Sequence, residues 1–421
     1  MATENSLTPV LLALSSLTPS LALETHDLLV GPESPLDHLS QKYNNTIIGR
    51  YANRIPVVAS TLSRSGFTSA FTPLPNENPQ VSLHGGPSGF DTQEWTPLLD
   101  PSEATLFSKS EVDTISSTMP VGSAVIFKRI SQDGEDGFPG RLLVEVLVGL
   151  VQPSGPQTQK ESFNLGSVVL VYRAKVLDEN TVTPINLTQH WGFNLDASVR
   201  DDDDHDEEVV QPTSVPPVTV KDHKLTIKAN HTVELNDLSL STGSLLAVTG
   251  THHAHSEKES GKIGEKWPQS GYDEYYLFTP RDSVAPSRIP LNEFTRSTDL
   301  LSDILTKEQM DPVVELEGAR SGLKLSFDSN QSGVQFYSNN LTNTSKGSRK
   351  KIHGGSGVVG TGDGYDAGSA AFLEFHEPLA AWLNPSTQGS SKNDTLLASG
   401  ELYNNFVRID VWFKPPARGN A

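Results

Sequence analysis

The chain has 421 residues, a formal net charge of -19 and 35% hydrophobic residues. That acidic balance argues against nucleic acid or an anionic membrane as the main partner, and the absence of cysteine excludes disulfides and thiolate metal sites. The 33 glycines and 28 prolines, set among short strand-like runs, predict an all-β fold with many turns and long polar loops.

The N-terminal stretch MATENSLTPVLLALSSLTPSLAL is faintly leader-like. It carries Glu4, lacks a basic start and is broken by Pro9 and Pro19, so it reads as mature polypeptide and a cytoplasmic location is expected. Sequons at Asn44, Asn186, Asn230, Asn330, Asn340, Asn343 and Asn393 pull weakly toward secretion. No run reaches the roughly 18 apolar residues of a membrane helix.

In chain order, IIGRYANRI sets Arg50, Asn53 and Arg54 between apolar residues, and VSLHGGPSGFDTQEW follows with His84. RLLVEVLVGLV and GSVVLVYRAKVL are dense in β-branched residues and predict central strands. LTQHWGFNL places His190 in an apolar, aromatic context, where an imidazole needs a partner. VRDDDDHDEEVVQPTSVPP, residues 199–217, is acidic and then Pro-rich and predicts a solvated loop insertion. Period-2 alternation marks strands in HKLTIKAN (Leu225, Ile227, Ala229), GLKLSFDS (Leu323, Leu325, Phe327) and the final run (Ile409, Val411, Phe413). THHAH offers His252 and His255 as a metal pair without a regular third ligand. SGYDEYYLF carries Asp273. STDLLSDILTKEQM is the best helix candidate, with Ser297 as N-cap.

SGVQFYSNN then carries Gln335, and AAFLEFHEPLAAWLNP carries Glu374. Between them, residues 340–368 read as a second loop insertion. Its basic run (Lys346, Arg349, Lys350, Lys351) precedes a formal G-x-G-x-x-G at Gly355, Gly357 and Gly360. With no strand before it and no helix after it, the pattern predicts a flexible loop rather than a dinucleotide site. The flanking strands continue one pattern, so residues 1–421 are expected to form a single domain.

Each singled-out polar residue has a structural reading: Arg54 pairing with a carboxylate, Glu374 facing solvent at a strand edge. As a set, Asn53, Arg54, His84, His190, Asp273, Gln335 and Glu374 offer donors and acceptors for several hydroxyls, an acid/base pair and adjacent aromatics, which is what a sugar site requires.

These blocks, in this order over residues 44 to 385, resemble the aldose 1-epimerase (galactose mutarotase) family. IGRYANRI is similar to its GR-x-ANRI block, SLHGGPSGFDTQEW to LHGG-x-x-GFD-x-x-x-W, NLTQHWGFNL to N-x-TNH-x-YFNL, and GVQFYSNN to GVQFYTGN. FLEFHEP sits where the family has LE-x-Q and its catalytic Glu. Gln189 replaces Asn, Trp191 and Gly192 replace Ser-Tyr, and His376 stands where Gln is usual. The resemblance implies a large antiparallel β-sandwich of the galactose mutarotase type. It implies interconversion of the α and β anomers of free aldohexoses such as glucose and galactose, without cofactor or metal. Glu374 would be the base and His190, protonated near its usual pKa, the acid. His84 would assist at the ring oxygen or bind a neighbouring hydroxyl. Asn53, Arg54, Asp273 and Gln335 would hold hydroxyls, and Trp191 and Phe193 would shape the floor. A monosaccharide substrate and a monomer or weak homodimer are expected. A hexose-6-phosphate 1-epimerase, drawing on the basic run, and a non-catalytic sugar-binding protein are the alternatives.

Overall fold

A computed structural model describes residues 13–17, 23–153, 158–159, 162–199, 218–256, 261–282, 285–307 and 311–415. The acidic run Asp201 to Asp204 with Asp206, Glu207 and Glu208, and nearly all of the predicted 199–217 loop, lie outside these residues.

Two antiparallel sheets face each other across one core. The larger has eleven strands, and at its centre Leu142–Val151, Ser162–Val176 and Glu401–Phe413 are neighbours. Their density in β-branched residues has a direct cause: both faces are covered. Val144, Val146, Val168, Leu170, Val407 and Ile409 enter the shared core, while Leu147, Val169, Val171 and Phe406 face outward under a second apolar cluster. The three alternating runs lie in these sheets as expected: Leu225 and Ile227 in Lys224–Ile227, Leu323 to Phe327 in Leu323–Ser329, and Ile409 to Phe413 in the last long strand.

The smaller sheet has six strands, in the order Gly192–Phe193, Ala371–His376, Gly333–Tyr337, Asp273–Phe278, Ala229–Leu235 and Ser241–Ala247. Period 2 divides its residues. Tyr276, Val334, Phe336, Leu373 and Phe375 point into the shared core. The other face therefore carries Asp273, Gln335, Tyr337, Phe372 and Glu374, and the register sets Gln335 opposite Glu374 and Asp273 opposite Tyr337. One change of parity along any of these strands would exchange the chemical face for the core face.

The outer cluster of the larger sheet is closed by two helices. Lys109–Thr118 buries Val112 and Ile115, and a capping box holds its start: Ser108 Oγ accepts from Glu111 N at 3.1 Å, and Glu111 Oε2 accepts from Ser108 N at 2.8 Å. The second helix is shorter than predicted. It spans only Ser302–Thr306 with Leu301 at the N-cap position; just upstream, Asp299 rather than Ser297 accepts from Leu301 N and Ser302 N, both at 2.9 Å, and Ser297 lies in the preceding turn. Asp299 wins because its carboxylate reaches the first free N–H groups. Arg408 Nη1 donates to the carbonyls of Ile304 and Lys307, both at 2.8 Å, and so closes the other end.

Residues 340–368 hold no strand, and the expectation of a flexible loop is corrected. Arg349 and Lys350 are buried; Lys350 Nζ meets Asp27 Oδ2 at 2.7 Å, and Arg349 lies 5.6 Å from the Tyr365 ring centroid. Gly355 and Gly357 donate backbone bonds to Lys350 and Arg349 carbonyls. A Cβ on Gly355 would meet the Arg349 carbonyl oxygen at 2.3 Å, so this glycine serves packing. Two of the sequon asparagines, Asn186 and Asn393, are buried.

The helix-to-sheet seam rests on a fully buried ion pair, Glu111 Oε1 to Arg173 Nη2 at 2.8 Å. Removing one partner strands the other charge. Glu111→Ala is predicted to cost about 3–5 kcal/mol of unfolding free energy, measured by urea denaturation. A loss under ~1 kcal/mol would show that the guanidinium finds water instead.

Candidate active site

A cavity of about 400 Å³ opens on the chemical face of the six-stranded sheet. Among its lining residues are all seven predicted ones: Asn53, Arg54, His84, His190, Asp273, Gln335 and Glu374. They come from separate parts of the chain. Glu374, Gln335 and Asp273 stand on adjacent strands. His190 ends the strand Thr188–His190, which pairs with Thr46–Ile48. Asn53 and His84 sit at two loop corners, both with left-handed backbones, φ 64° and 52°.

The corners are tied together. Asn53 N donates to His84 Nδ1 at 3.2 Å, and His84 N donates back to Asn53 O at 3.1 Å. Gly85 makes the approach possible: at φ 93°, a Cβ there would sit 2.0 Å from the Gly49 oxygen. Because Nδ1 is used as an acceptor, the ring proton of neutral His84 must be on Nε2. Burial, then the neighbouring His190 and Arg54, hold His84 well below the usual histidine range, so it stays neutral and donates from Nε2.

His190 Nε2 lies 3.3 Å from Glu374 Oε1, with both side chains nearly closed to solvent. The His84 ring meets the His190 ring edge-on at 5.1 Å, Phe372 packs on His190 at 4.7 Å, and Tyr43 tilts over His84 at 4.8 Å. Arg54 does pair with carboxylates: its Nε is 2.8 Å from Glu77 Oε2, its Nη2 2.9 Å from Glu77 Oε1, and its Nη1 3.5 Å from Asp273 Oδ2. Gln335 Nε2 donates to Asp273 Oδ1 at 2.8 Å. Gln335 Oε1, Glu374 Oε2 and His190 Nδ1 are buried and find no hydrogen bond of good geometry. The two oxygens are where ligand hydroxyls fit, whereas the His190 ring lies beside the backbone carbonyls of its own residue and of Tyr43.

The electrostatics correct the expected protonation. Burial pushes His190 down to about 3, against a smaller upward pull from nearby backbone carbonyls. Burial, and then Asp273, push Glu374 well above its usual value, partly offset by Arg54. When the pair holds one proton, that proton therefore rests on Glu374 rather than on His190, whose imidazole stays neutral above about 3.

His84, His190 and Glu374 are also close enough to suggest a metal centre, with one ligand atom from each lying within 4.8 Å of the others. The donor chemistry does not fit. His84 offers an N–H on Nε2, and freeing that lone pair would cost its bond from Asn53. THHAH gives no such cluster among the described residues. His253 Nδ1 bonds Tyr276 Oη at 2.9 Å, and His255 packs among Tyr272, Tyr276 and Phe336.

One further expectation is corrected. Trp191 and Phe193 do not form the floor; both belong to the shared core, and Phe372 and Tyr337 line the cavity instead. Arg50 points away from the cavity, into Ser131 Oγ at 2.8 Å and the Gln132 carbonyl at 2.6 Å. Sequence reasoning also missed Tyr43, Glu77, Lys42 and, as a cavity residue, Lys346. Phe372 and Tyr337 were within reach, each two residues from a chosen site residue on the same strand face. Tyr43 and Glu77 carried no signal, since both lie in loops.

The aldose 1-epimerase family profile matches residues 13–404. The chain belongs to that family. It is 27% identical over 376 residues to a galactose mutarotase of Bos taurus, covering 89% of this chain and 79% of the relative. It is 28% identical over 239 residues to an aldose 1-epimerase of Escherichia coli, covering 56% of this chain and 52% of that one. Among solved structures, an aldose epimerase homologue from C. elegans superposes with a TM-score of 0.60 at 19% identity, covering 92% of this chain and 88% of that chain. A galactose 1-epimerase from Lactobacillus acidophilus gives 0.58 at 14%, covering 92% and 86%. These two share the sandwich fold. No described helix is long and apolar enough to cross a membrane.

The His190 imidazole is predicted to stay neutral in ¹⁵N NMR spectra down to about pH 4. Its folded pKa lies below the usual 6.5, so its contribution to stability is present above 6.5 and is lost as pH falls toward about 3. An imidazole titrating near its ordinary value in the free protein would contradict the assignment.

Proposed function

We propose that this family member is an aldose 1-epimerase, an isomerase that interconverts the α and β anomers of free aldohexoses such as glucose and galactose. The observation that carries the reading is the His190–Glu374 contact at the base of a cavity edged by hydroxyl-binding groups. A protein that only bound sugar would gain nothing from burying an apposed acid and base, which costs stability.

The chemistry needs one proton between two groups. Transfer from Glu374 to His190 across the 3.3 Å contact generates carboxylate and imidazolium. Glu374 then takes the proton of the C1 hydroxyl, and His190 gives its own to the ring oxygen. The bond from C1 to the ring oxygen breaks, leaving the open aldehyde. C1 turns, the hydroxyl adds back to the other face, and the two protons return. His84 Nε2–H supports the ring oxygen or an adjacent hydroxyl. Asp273, Gln335, Asn53 and Arg54 hold the remaining hydroxyls, and Phe372 and Tyr337 offer ring faces to C–H groups. No step calls for a cofactor.

A second reading, a hexose 6-phosphate as substrate, is favoured by one observation. Lys42 and Lys346 line the cavity, and neither makes an ion pair among the described residues. The other cation of the lining, Arg54, is neutralised by Glu77 and Asp273.

Polarimetry of freshly dissolved α-glucose and α-galactose tests the activity. Glu374→Gln keeps the shape but cannot accept the C1 proton, so kcat should fall by ~10²–10⁴-fold with KM little changed. His190→Asn should behave alike, and the double variant should be little worse than the worse single one, because both act in one event. Near-normal kcat in Glu374→Gln would remove the assignment. Glu377 would not rescue it, since its carboxylate is turned to the Ser332 hydroxyl and does not line this cavity. Free aldohexoses are expected to exceed their 6-phosphates in kcat/KM. A preference for the ester that disappears in Lys42→Gln with Lys346→Gln would establish the second reading instead.

A further inference from the structure

We propose that the protein has a second ligand site, for a phosphate ester, built around Arg288 at the end of the six-stranded sheet away from His190 and Glu374. A cavity of about 1040 Å³ lies there. It is reached from the C-terminal end of Asp273–Phe278, from the turn Ser329 to Ser332 before Gly333–Tyr337, and from the loop 388–393. Asp273 and Leu277 lie at the two cavities, so the sites stand roughly 13 Å apart along that strand.

The charges of this wall are unevenly matched. Arg64 is neutralised by Asp394 at 2.8 Å and Glu401 at 2.7 Å, and Arg281 by Asp328. Arg288 is not. It is half-buried, and every bond it makes goes to a neutral oxygen: Leu396 O at 3.1 Å, Ser287 O at 3.1 Å and Asn393 Oδ1 at 3.2 Å. Its underside rests on the Tyr403 ring, 4.9 Å from the centroid. No carboxylate of the described residues lies within ion-pair distance of it. Glu377, Asp394 and Arg64 act on it only from farther away. Glu377 is closed off by the Ser332 hydroxyl, and Asp394 is engaged by Arg64.

A guanidinium partly withdrawn from water without a counterion is costly, and Arg288 is half-buried on the lining of an open cavity. Desolvation lowers its pKa from the usual arginine value, in keeping with a missing anion. A guanidinium has five N–H donors, and three bonds are made here, so two donors remain for an oxyanion. Phosphate suits this fork, and Lys392 on the same wall, also without an ion pair among the described residues, adds a second charge. Around the cations the wall is amide and hydroxyl: Ser287, Asn330, Ser391 and Asn393. Groups of that kind hold the hydroxyls of a polyol. The ligand class that uses both features is a phosphorylated sugar or similar polyol phosphate. The exposed Asp282 is the one carboxylate among the lining residues, and it faces solvent.

The test is calorimetric titration of the full chain with glucose 6-phosphate, and separately with inorganic phosphate, at fixed ionic strength and with saturating free glucose. Saturable binding of the ester is expected, ~10-fold tighter than inorganic phosphate. Arg288→Gln should weaken the ester by ~10-fold or more and Lys392→Gln by ~3-fold, while mutarotation of free glucose is unchanged in both. Should Arg288→Gln fail to fold, Lys392→Gln decides alone, since Lys392 makes no ion pair that the fold would miss. No saturation by about 10 mM ester overturns the proposal. So does binding indifferent to Lys392→Gln, binding of inorganic phosphate with the ester excluded, or full displacement by glucose, which would place the phosphate beside Lys42 and Lys346 in the first cavity. The proposal does not depend on the epimerase reading, because binding is measured without turnover.

Discussion

The imidazole of His190 and the carboxyl of Glu374 meet at 3.3 Å in a place almost closed to water. Much of the surrounding structure serves to keep them there. Glu374 is fixed by the register of its strand against Gly333–Tyr337, which also brings Gln335 opposite it. His190 is fixed by its strand and by the rings of Phe372 and His84. His84 in turn depends on two left-handed corners and on a glycine that lets the chain pass close to Gly49. A shift of an ångström in any of these would open the contact, and proton transfer is sensitive to such distances.

Burial gives this pair its particular electrostatics. Either charge alone would be expensive here, which favours a state with both groups neutral and one proton held between them. In the proposed mechanism the reactive arrangement, carboxylate and imidazolium, is a tautomer of that state rather than a different protonation level. In that mechanism, sugar hydroxyls entering beside Gln335 Oε1 and Glu374 Oε2, both buried without a partner, would supply hydrogen bonds that favour the charged tautomer. Arg54, held between Glu77 and Asp273, offsets only part of the upward push that burial and Asp273 exert on Glu374.

Much of this was legible in the residues because strand period is simple. Gln335 and Glu374 stand out as polar side chains on strands whose alternate residues are apolar, and the structure sets them side by side. The dense runs RLLVEVLVGLV and GSVVLVYRAKVL signalled strands covered on both faces. The misses have separate causes. Trp191 and Phe193 look like sugar platforms by type, but the shared core takes both, and one-dimensional pattern does not say which face a two-residue strand presents. The helix at Lys109–Thr118 is rich in Ser and Thr and has few apolar residues; its clearest signal was the capping box, Ser108 with Glu111. Tyr43 and Glu77 reach the cavity from loops, where no periodicity constrains a side chain. The buried half of the 346–351 basic run shows that composition predicts solvation poorly when single charges find single partners, as Lys350 finds Asp27.

The shared proton is tested most directly by kcat/KM for α-glucose as a function of pH, which reports the free protein. If the proton rests on Glu374, activity holds from the neutral range down toward about 3, where His190 takes a second proton, and its alkaline limit is set by Glu374, well above 4.5. A narrow bell bounded by the ordinary values of 4.5 for a glutamate and 6.5 for a histidine would contradict that account.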